Sequence, residues 1–233
     1  MRKCVVILIA IAAIALLPPS VWANLVPITA TDGVWTNGQP VGAATINNAT
    51  DPRTARWGTG GALSGYNWSP AATPFNADSS GVAFSLGTFN HLNFPIGGTP
   101  ITSIDLDFSL QIDGLAPLLG TFHFIHDETP NAVPCAYPST TPCADAVTVS
   151  SPFLNTPFNY LGVDYFFSLL GFSQDGGATT VNKFITQENQ ENIAGLYGVI
   201  TEIPIGVPEP STLLLLASGL VGLGGMAWRR RKN

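Results

Sequence analysis

The chain of 233 residues is long enough for one domain together with targeting segments. Only 10% of its residues are charged, while 24 glycines and 19 prolines favour short strands joined by turns over long helices. Residues 24–208 carry three Lys or Arg side chains against 14 carboxylates, a formal charge of −11. Binding to nucleic acid is not expected, because such a body repels phosphates.

Residues 1–23 are predicted to be a secretory signal peptide. Two basic residues at the start are followed by an apolar run of 13 residues, 5–17, and then by small residues at the −3 and −1 positions of a cleavage site before Asn24. A membrane-spanning anchor is the alternative, but the apolar run is shorter than the roughly 20 residues that a spanning helix needs.

Residues 24–203 are predicted to form one all-β domain, a β-sandwich of the jelly-roll-like type. In the clearest strand, residues 104–112, five apolar side chains alternate with polar ones, which predicts one buried and one hydrated face. Asp113 and Gly114 then indicate a turn, and residues 118–125 are expected to be the hairpin partner. Further strands are predicted at residues 82–89, 147–150, 163–172 and 197–203, and a short helix near residues 187–195.

Four large aromatic side chains crowd the first part of this domain, namely Trp35, Trp57, Tyr66 and Trp68. Rings of this size are normal in the core of a β-sandwich, and core packing is the preferred interpretation. Exposed rings can instead stack on the faces of sugars, and Trp57 and Trp68 are the candidates for such stacking.

Cys135 and Cys143 are the only cysteines that remain once residues 1–23 are removed. An even pair in an exported protein predicts a disulfide, and closing so short a loop contributes about 2–3 kcal/mol in the chain-entropy description. A metal-binding or catalytic thiol pair is the alternative, but the spacing and the lack of further ligands nearby disfavour it.

His123 and His126, followed by Asp127 and Glu128, raise the question of a metal site. Residues three apart on a strand point to opposite faces, so the two imidazoles are not expected to share one ion unless the chain turns between them. The preferred interpretation is a strand end with ordinary hydrogen bonds and no metal.

Asp105 and Asp107 share the polar face of the clearest strand. Paired carboxylates can act as acid and base or hold Ca²⁺, but a hydrated strand face carries such residues anyway. The sequence has no Gly-x-Ser-x-Gly, His-Glu-x-x-His or phosphate-loop pattern. No catalytic residue, enzymatic activity or cofactor is therefore expected.

Residues 204–233 are the most specific segment of the sequence. A proline-rich spacer contains Pro208-Glu209-Pro210 and leads into an apolar run of 16 residues, 213–228, which as a helix would be roughly 24 Å long. A basic cluster follows, consisting of Arg229, Arg230, Arg231 and Lys232. By the positive-inside rule this cluster stays in the cytoplasm, which places the domain outside. An ordinary C-terminal tail anchor would have the same helix and charges.

This three-part end resembles the PEP-CTERM sorting signal of exopolysaccharide-producing Gram-negative bacteria. The resemblance implies passage through the secretion machinery, transient anchoring in the inner membrane, and cleavage near the motif by an exosortase, a membrane cysteine transpeptidase-like enzyme. Pro208, Glu209 and Pro210 would be the residues that the exosortase recognises.

Residues 87–96 resemble the signature of the THxN family of PEP-CTERM proteins, with His91 and Asn93 matching its His and Asn and Asn90 standing in place of its Thr. Residues 124–131, residues 184–189 and the two cysteines extend the resemblance over most of the domain. It implies an exported β-rich domain of unknown biochemical activity.

His91 and Asn93 are two residues apart and are expected to face the same side of an extended segment. Hydrogen bonds from these side chains to neighbouring backbone groups would fix a turn before Pro95, and this structural role is preferred. Contact with a ligand is the alternative.

The main functional hypothesis is a non-catalytic protein of the cell surface or extracellular matrix, sorted by exosortase and associated with exopolysaccharide. A carbohydrate- or calcium-dependent binding module is the first alternative. A secreted glycan hydrolase that uses the carboxylates of Asp105 and Asp107 is the second.

Overall fold

The computed structural model describes residues 24–139, 142–150, 155–204 and 218–219. The predicted signal peptide and the predicted sorting residues, Pro208 to Pro210 and Arg229 to Lys232, lie outside the described residues. Among the described residues, no helix is long and apolar enough to cross a membrane. Ala23–Ile203 form one compact unit.

The described part of this unit consists of strands, turns and loops, without a helix, so the all-β prediction is confirmed. Its thirteen strands are β1 (Leu25–Gln39), β2 (Ala44–Asn47), β3 (Arg53–Trp57), β4 (Ser64–Pro70), β5 (Phe75–Asp78), β6 (Phe84–Asn93), β7 (Ser103–Ile112), β8 (Leu118–Asp127), β9 (Asp145–Ser150), β10 (Thr156–Tyr160), β11 (Val163–Ser173), β12 (Lys183–Thr186) and β13 (Gln190–Glu202).

The strands form two antiparallel sheets that share one core. The first sheet has the order β12-β9-β8-β7-β1-β5, and the second has the order β10-β11-β13-β6-β4-β3-β2. Rings from the two sheets meet between them: Phe89 of β6 stacks on Phe124 of β8 with 5.4 Å between ring centroids, and Trp35 of β1 lies 5.7 Å from Tyr66 of β4. The jelly-roll-like type remains a prediction.

The predicted hairpin of residues 104–112 and 118–125 is confirmed as β7 and β8. Ile104 lies opposite Phe124 and Leu106 opposite Phe122 in the register of this pair. The apolar side chains at alternate positions of β7 are all buried in the core. Period-two alternation predicts this strand because a sheet with one buried face needs an apolar side chain at every second position.

Residues 190–202 form β13, so the short helix predicted near residues 187–195 is wrong. β13 lies between β11 and β6 and is paired with both, which satisfies its backbone hydrogen bonds on the two sides. Asn192, Ala194 and Leu196 are buried at every second position. Tertiary pairing therefore outweighs the weak local helical tendency of this polar segment.

The longest strand, β1, is absent from the strands predicted from the sequence. A bulge between Ile28 and Ala30 shifts its register against β7, and a second shift lies between Thr36 and Gln39. Each bulge changes which residues face the core, so no single alternation runs through the strand.

Candidate functional site

The side chains that face the core change from apolar to polar along several strands. On β6, Phe89 is followed at two-residue spacing by His91 and Asn93, and on β8 Phe124 is followed by His126. These polar side chains keep the inward direction of the apolar residues before them, since alternate residues of a strand share a face. The resulting group, called here the polar cluster, consists of His91, Asn93, His126, Glu128, Asp145, Thr186 and Glu188.

Three members of the polar cluster lie close enough together to share one ion. His126, Glu128 and Asp145 each offer one ligand atom, and these atoms lie within 4.8 Å of one another. His126 is near the end of β8, Glu128 follows two residues later, and Asp145 begins β9, the neighbour of β8 in the first sheet. Pairing of Asp127 with Ala146 brings the end of one strand to the start of the next.

His126 is held at both ring nitrogens. Its Nδ1 lies 2.8 Å from the Tyr66 hydroxyl and its Nε2 lies 3.1 Å from Glu128 Oε2. A carboxylate only accepts, so in this arrangement Nε2–H donates to Glu128 and Nδ1 accepts from the Tyr66 O–H. The Tyr66 hydroxyl reaches His126 across the core, because β4 belongs to the second sheet.

His91 has one ring nitrogen without a hydrogen-bond partner among the described residues. Its Nδ1 lies 2.9 Å from Thr186 Oγ1, and the Thr186 hydroxyl donates to the Asp145 carbonyl at 3.4 Å. Because that hydroxyl proton is used, Oγ1 accepts from His91 Nδ1–H, and Nε2 carries a lone pair. Nε2 is buried and unpartnered. Burial, and then the nearby His126, hold the pKa of His91 well below its usual range, which keeps the ring neutral.

Three further acceptor atoms of the polar cluster are also buried without a hydrogen-bond donor among the described residues: Asn93 Oδ1, Asp145 Oδ2 and Glu188 Oε2. In each of these side chains a second polar atom is hydrogen-bonded. Asn93 Nδ2 donates to the Thr186 carbonyl at 3.0 Å. The backbone N–H of Thr129 donates to Asp145 Oδ1 at 2.7 Å, and Asn131 Nδ2 donates to Glu188 Oε1 at 2.7 Å.

Two carboxylates of the polar cluster, those of Asp145 and Glu188, lie in an unfavourable environment for negative charge. Burial raises the pKa of Asp145 to about 7, the Thr129 N–H opposes this rise, and repulsion from Glu128 and Glu188 adds to it. Burial is also the main reason why the pKa of Glu188 is raised. A cation beside these groups would relieve both the desolvation and the mutual repulsion.

Trp57 and Tyr66 enclose the two histidines, and this corrects the candidate sugar-stacking role of Trp57 and Trp68. The Trp57 ring stacks on His91 at 5.9 Å and meets His126 edge-on at 5.1 Å. The Trp68 ring packs against Phe108 at 6.3 Å. Both tryptophans are at most 1% exposed. A ring enclosed on both faces cannot stack on a sugar, so core packing is the interpretation that the structure supports.

The predicted disulfide between Cys135 and Cys143 is present in the connection from β8 to β9. The same connection contains Thr129 and Asn131, which orient Asp145 and Glu188. The disulfide therefore stabilises the loop that holds two of the carboxylates in place.

His123 lies apart from the polar cluster, as the three-residue spacing from His126 predicts. Its side chain is 46% exposed, whereas that of His126 is 0% exposed. On the outer face of the first sheet, His123 Nδ1 lies 2.6 Å from Asp105 Oδ1. Asp107 accepts hydrogen bonds there from the hydroxyls of Thr36 and Thr121.

The residues of the THxN-like signature are divided between two faces. His91 and Asn93 share the inward face, as their spacing predicts, and both contact Thr186 of β12. These hydrogen bonds join the two sheets, so the predicted role of fixing a turn before Pro95 is wrong. Asn90 lies on the other face, where its Nδ2 donates to Glu191 Oε2 at 2.8 Å.

Sequence reasoning missed Asp145, Thr186 and Glu188 as members of the site. Glu188 lies in the short connection between β12 and β13, and Thr186 pairs directly with Asp145 in the register of β12 and β9. The only signal in the sequence is the position of Thr186 and Glu188 within residues 184–189, one of the runs that resemble the THxN family.

Residues 206–232 match the PEP-CTERM protein-sorting motif. This match supports an exported protein that carries a C-terminal membrane-anchored sorting signal and is processed by exosortase. It covers none of the β-domain, so membership of the THxN family stays a prediction. No curated protein matches the chain.

Proposed function

We propose that the mature β-domain is a non-catalytic component of the cell surface or extracellular matrix that associates with exopolysaccharide. In this proposal residues 1–23 are removed during export, and exosortase then recognises Pro208, Glu209 and Pro210 and separates the domain from its membrane anchor. The domain is already outside the cytoplasm when exosortase cleaves the chain.

The match of residues 206–232 to the sorting motif is the observation that carries the proposal. Exosortase processing acts on exported chains, so the final location of the domain is outside the inner membrane. The resemblance of this signal to those of exopolysaccharide-producing bacteria supports the proposed association with exopolysaccharide.

The described carboxylates support a non-catalytic role. Asp105 and Asp107, the pair that a glycan hydrolase would use, are engaged by neighbours on the outer face of the first sheet, including His123 and Thr121. Apart from the partly exposed Glu128, the polar cluster is buried between the sheets, where Trp57 and Tyr66 cover its histidines. The buried cluster offers a polymeric substrate no accessible cleft, and the open pocket beside Asp107 is lined by no second carboxylate.

The proposal is tested by following the full chain in a host that has exosortase. Antibodies against the domain report its mass and its distribution between membranes, cell surface and medium. The expected result is a shortened chain that co-sediments with exopolysaccharide and is released when the polysaccharide is digested. A full-length chain retained in the inner membrane of the wild-type host would contradict sorting.

Glu209→Ala tests recognition of the motif, and Glu202→Gln is its control. Glu202 is a half-exposed carboxylate at the end of β13, seven positions before Glu209. We expect Glu209→Ala to accumulate as unprocessed chain and Glu202→Gln to be processed like the wild type. Normal processing of Glu209→Ala would count against exosortase recognition, and a processed chain that never co-sediments would count against exopolysaccharide association alone.

A further inference from the structure

We propose that the polar cluster binds one divalent transition-metal ion of the Zn²⁺ class, which joins the two sheets inside the core. His126, Glu128 and Asp145 are its central ligands, and His91 Nε2 is the fourth. This inference rests on the β-domain alone and is independent of sorting and of exopolysaccharide.

Buried acceptors without donors are the first argument for the ion. His91 Nε2, Asn93 Oδ1, Asp145 Oδ2 and Glu188 Oε2 are all acceptors, and all are buried without a hydrogen-bond partner among the described residues. Leaving a buried polar atom unpaired is unfavourable, and such atoms are rare in folded proteins. The unpartnered atoms of the polar cluster itself are all acceptors, which matches a cation, because a cation binds lone pairs. The unpartnered donor beside them, Trp57 Nε1, belongs to the ring that encloses the histidines.

The distances are the second argument. The ligand atoms of His126, Glu128 and Asp145 lie within 4.8 Å of one another. Metal–ligand bonds of about 2.0–2.2 Å require ligand atoms somewhat closer together than this limit, so small movements of the side chains bring all three to one ion. His91 is outside this group of three, and its imidazole lies 5.2 Å from that of His126 between ring centroids, at 86° to it. Glu188 is close enough to Asp145 and Glu128 to affect them electrostatically, which places another carboxylate beside the site.

The hydrogen bonds around the ligands have the form that metal-binding side chains need. A ligating imidazole uses one nitrogen for the ion and donates from the other to a fixed partner. His91 already does so, because its Nδ1–H donates to Thr186 Oγ1. His126 adopts the same form as its other neutral tautomer, in which the ring proton has moved from Nε2 to Nδ1 and is donated to the Tyr66 oxygen, so that Nε2 has a lone pair for the ion.

The ligand types select the class of metal. Imidazole nitrogen combined with carboxylate oxygen suits Zn²⁺ and its transition-metal neighbours, whereas Ca²⁺ prefers oxygen ligands alone. Two imidazoles in the cluster therefore disfavour calcium. Thiolate ligation is not involved, since Cys135 and Cys143 are joined to each other.

The position of the cluster indicates a structural ion. His91 lies on β6 of the second sheet, whereas His126 and Asp145 lie on β8 and β9 of the first. All four proposed ligands come from the protein, and the histidines are enclosed by aromatic rings. A catalytic ion keeps a position open to substrate, while a structural ion is closed in this way. The ion would hold the two sheets together at this end of the core.

The test uses the full chain, solubilised in detergent, stripped of metal with EDTA and then titrated with ZnCl₂. We expect one Zn²⁺ per chain by calorimetry and by elemental analysis, and a rise in Tm of about 5–10 °C when Zn²⁺ is in hundredfold excess over its Kd. CaCl₂ at the same concentration should leave Tm unchanged. A rise in Tm with Ca²⁺ but not with Zn²⁺ would overturn the assignment to transition metals.

Asp145→Asn separates metal binding from folding. Asn keeps the size of the side chain and an oxygen that accepts from the Thr129 N–H, but it removes a buried charge. The metal-free variant should therefore fold with a Tm no lower than that of the metal-free wild type, while Zn²⁺ no longer raises it. If Asp145→Asn keeps the full response to Zn²⁺, or if the wild type has none, the cluster is a hydrogen-bonded network without a metal.

His123→Gln is the matched control for His126→Gln. Both histidines lie on β8 and both contact a carboxylate, but His123 faces solvent and its partner is Asp105. His123→Gln should respond to Zn²⁺ like the wild type, and His126→Gln should not. If both variants lost the response to Zn²⁺ equally, the response would be assigned to the exposed His–Asp pair and the proposal would be overturned.

Discussion

His91 on β6 and Thr186 on β12 belong to opposite sheets, and a hydrogen bond of 2.9 Å between His91 Nδ1 and Thr186 Oγ1 joins them inside the core. The Thr186 hydroxyl donates onward to the Asp145 carbonyl. This one hydroxyl therefore decides which nitrogen of His91 bears the proton and which has a lone pair.

Thr186→Val is expected to weaken both folding and metal binding. The change is nearly isosteric, but it leaves His91 Nδ1–H without its acceptor, which costs about 1–3 kcal/mol of unfolding free energy. The imidazole is then less well oriented, and Zn²⁺ affinity should fall by roughly 10- to 100-fold. Urea unfolding of the metal-free chain and calorimetric titration measure the two effects separately.

Thr121→Val is the control for that variant. The Thr121 hydroxyl also makes a hydrogen bond, to Asp107 Oδ1 at 2.8 Å, but on the hydrated face of the first sheet. Its loss should change the unfolding free energy by less than about 0.5 kcal/mol. Equal behaviour of the two valine variants would show that the buried contact has no special role.

Trp57→Ala is expected to lower the unfolding free energy by about 3–5 kcal/mol, because it leaves a large cavity against His91 and His126. Leu119→Ala, at an exposed position of β8, should have little effect. Trp57→Phe should keep the association with exopolysaccharide, since the buried ring has no contact with solvent. Selective loss of that association in a folded Trp57→Phe protein would instead restore a sugar-stacking role.

Replacement of both Cys135 and Cys143 by Ser should cost about 2–3 kcal/mol, as estimated for the loss of a short closed loop. Guanidinium unfolding under non-reducing conditions measures this difference. Reductant should destabilise the wild type by a similar amount and leave the double variant unchanged. A response of the double variant to reductant would mean that the effect does not come from this disulfide.

The Asp175 carboxylate should make the stability of the domain depend on pH in strongly acid solution. The Thr179 N–H and then the Ser173 hydroxyl donate to Asp175 Oδ1 at 2.9 and 2.7 Å, and they lower its pKa from 3.8 to about 2. A depressed pKa stabilises the fold above the unfolded value of 3.8, and this contribution is lost as pH falls through about 2.

Asp175→Asn provides the comparison for that pH dependence, because it removes the titrating group while keeping an acceptor oxygen. The difference in Tm between wild type and variant should shrink as pH is lowered from about 4 to about 2. An NMR titration of the Asp175 carboxyl gives its pKa directly. A value near 3.8 would show that the two hydrogen bonds are not kept in solution.

Several strands could be predicted from local patterns. The strands that could not be predicted were missed for physical reasons. The alternation in residues 104–112 persists because β7 has one buried face along its whole length. β1 has no such continuous pattern, since bulges change its inward set of residues. The start of β13 is polar enough to suggest a helix, and only its pairing with β6 and β11 makes it a strand.

The candidate site was predictable only in part, and the reason is again geometric. The spacing of His91 and Asn93 predicted a shared face, and the spacing of His123 and His126 predicted opposite faces. Neither spacing predicts which residues of other strands these side chains contact in the core. Asp145 and Thr186 are 41 residues apart in sequence but are direct partners in the register of β9 and β12.

By itself, the sequence determined features that are contained in a few neighbouring residues: the alternation of residues 104–112, the cysteine pair, and the sorting motif at residues 206–232. Only the tertiary structure decided that Trp57 and Trp68 are buried and that His91, His126 and Asp145 meet. Burial and contacts between distant residues depend on strand order and on how the two sheets face each other. Strand order and sheet packing are determined by pairings between distant segments, which no local pattern specifies.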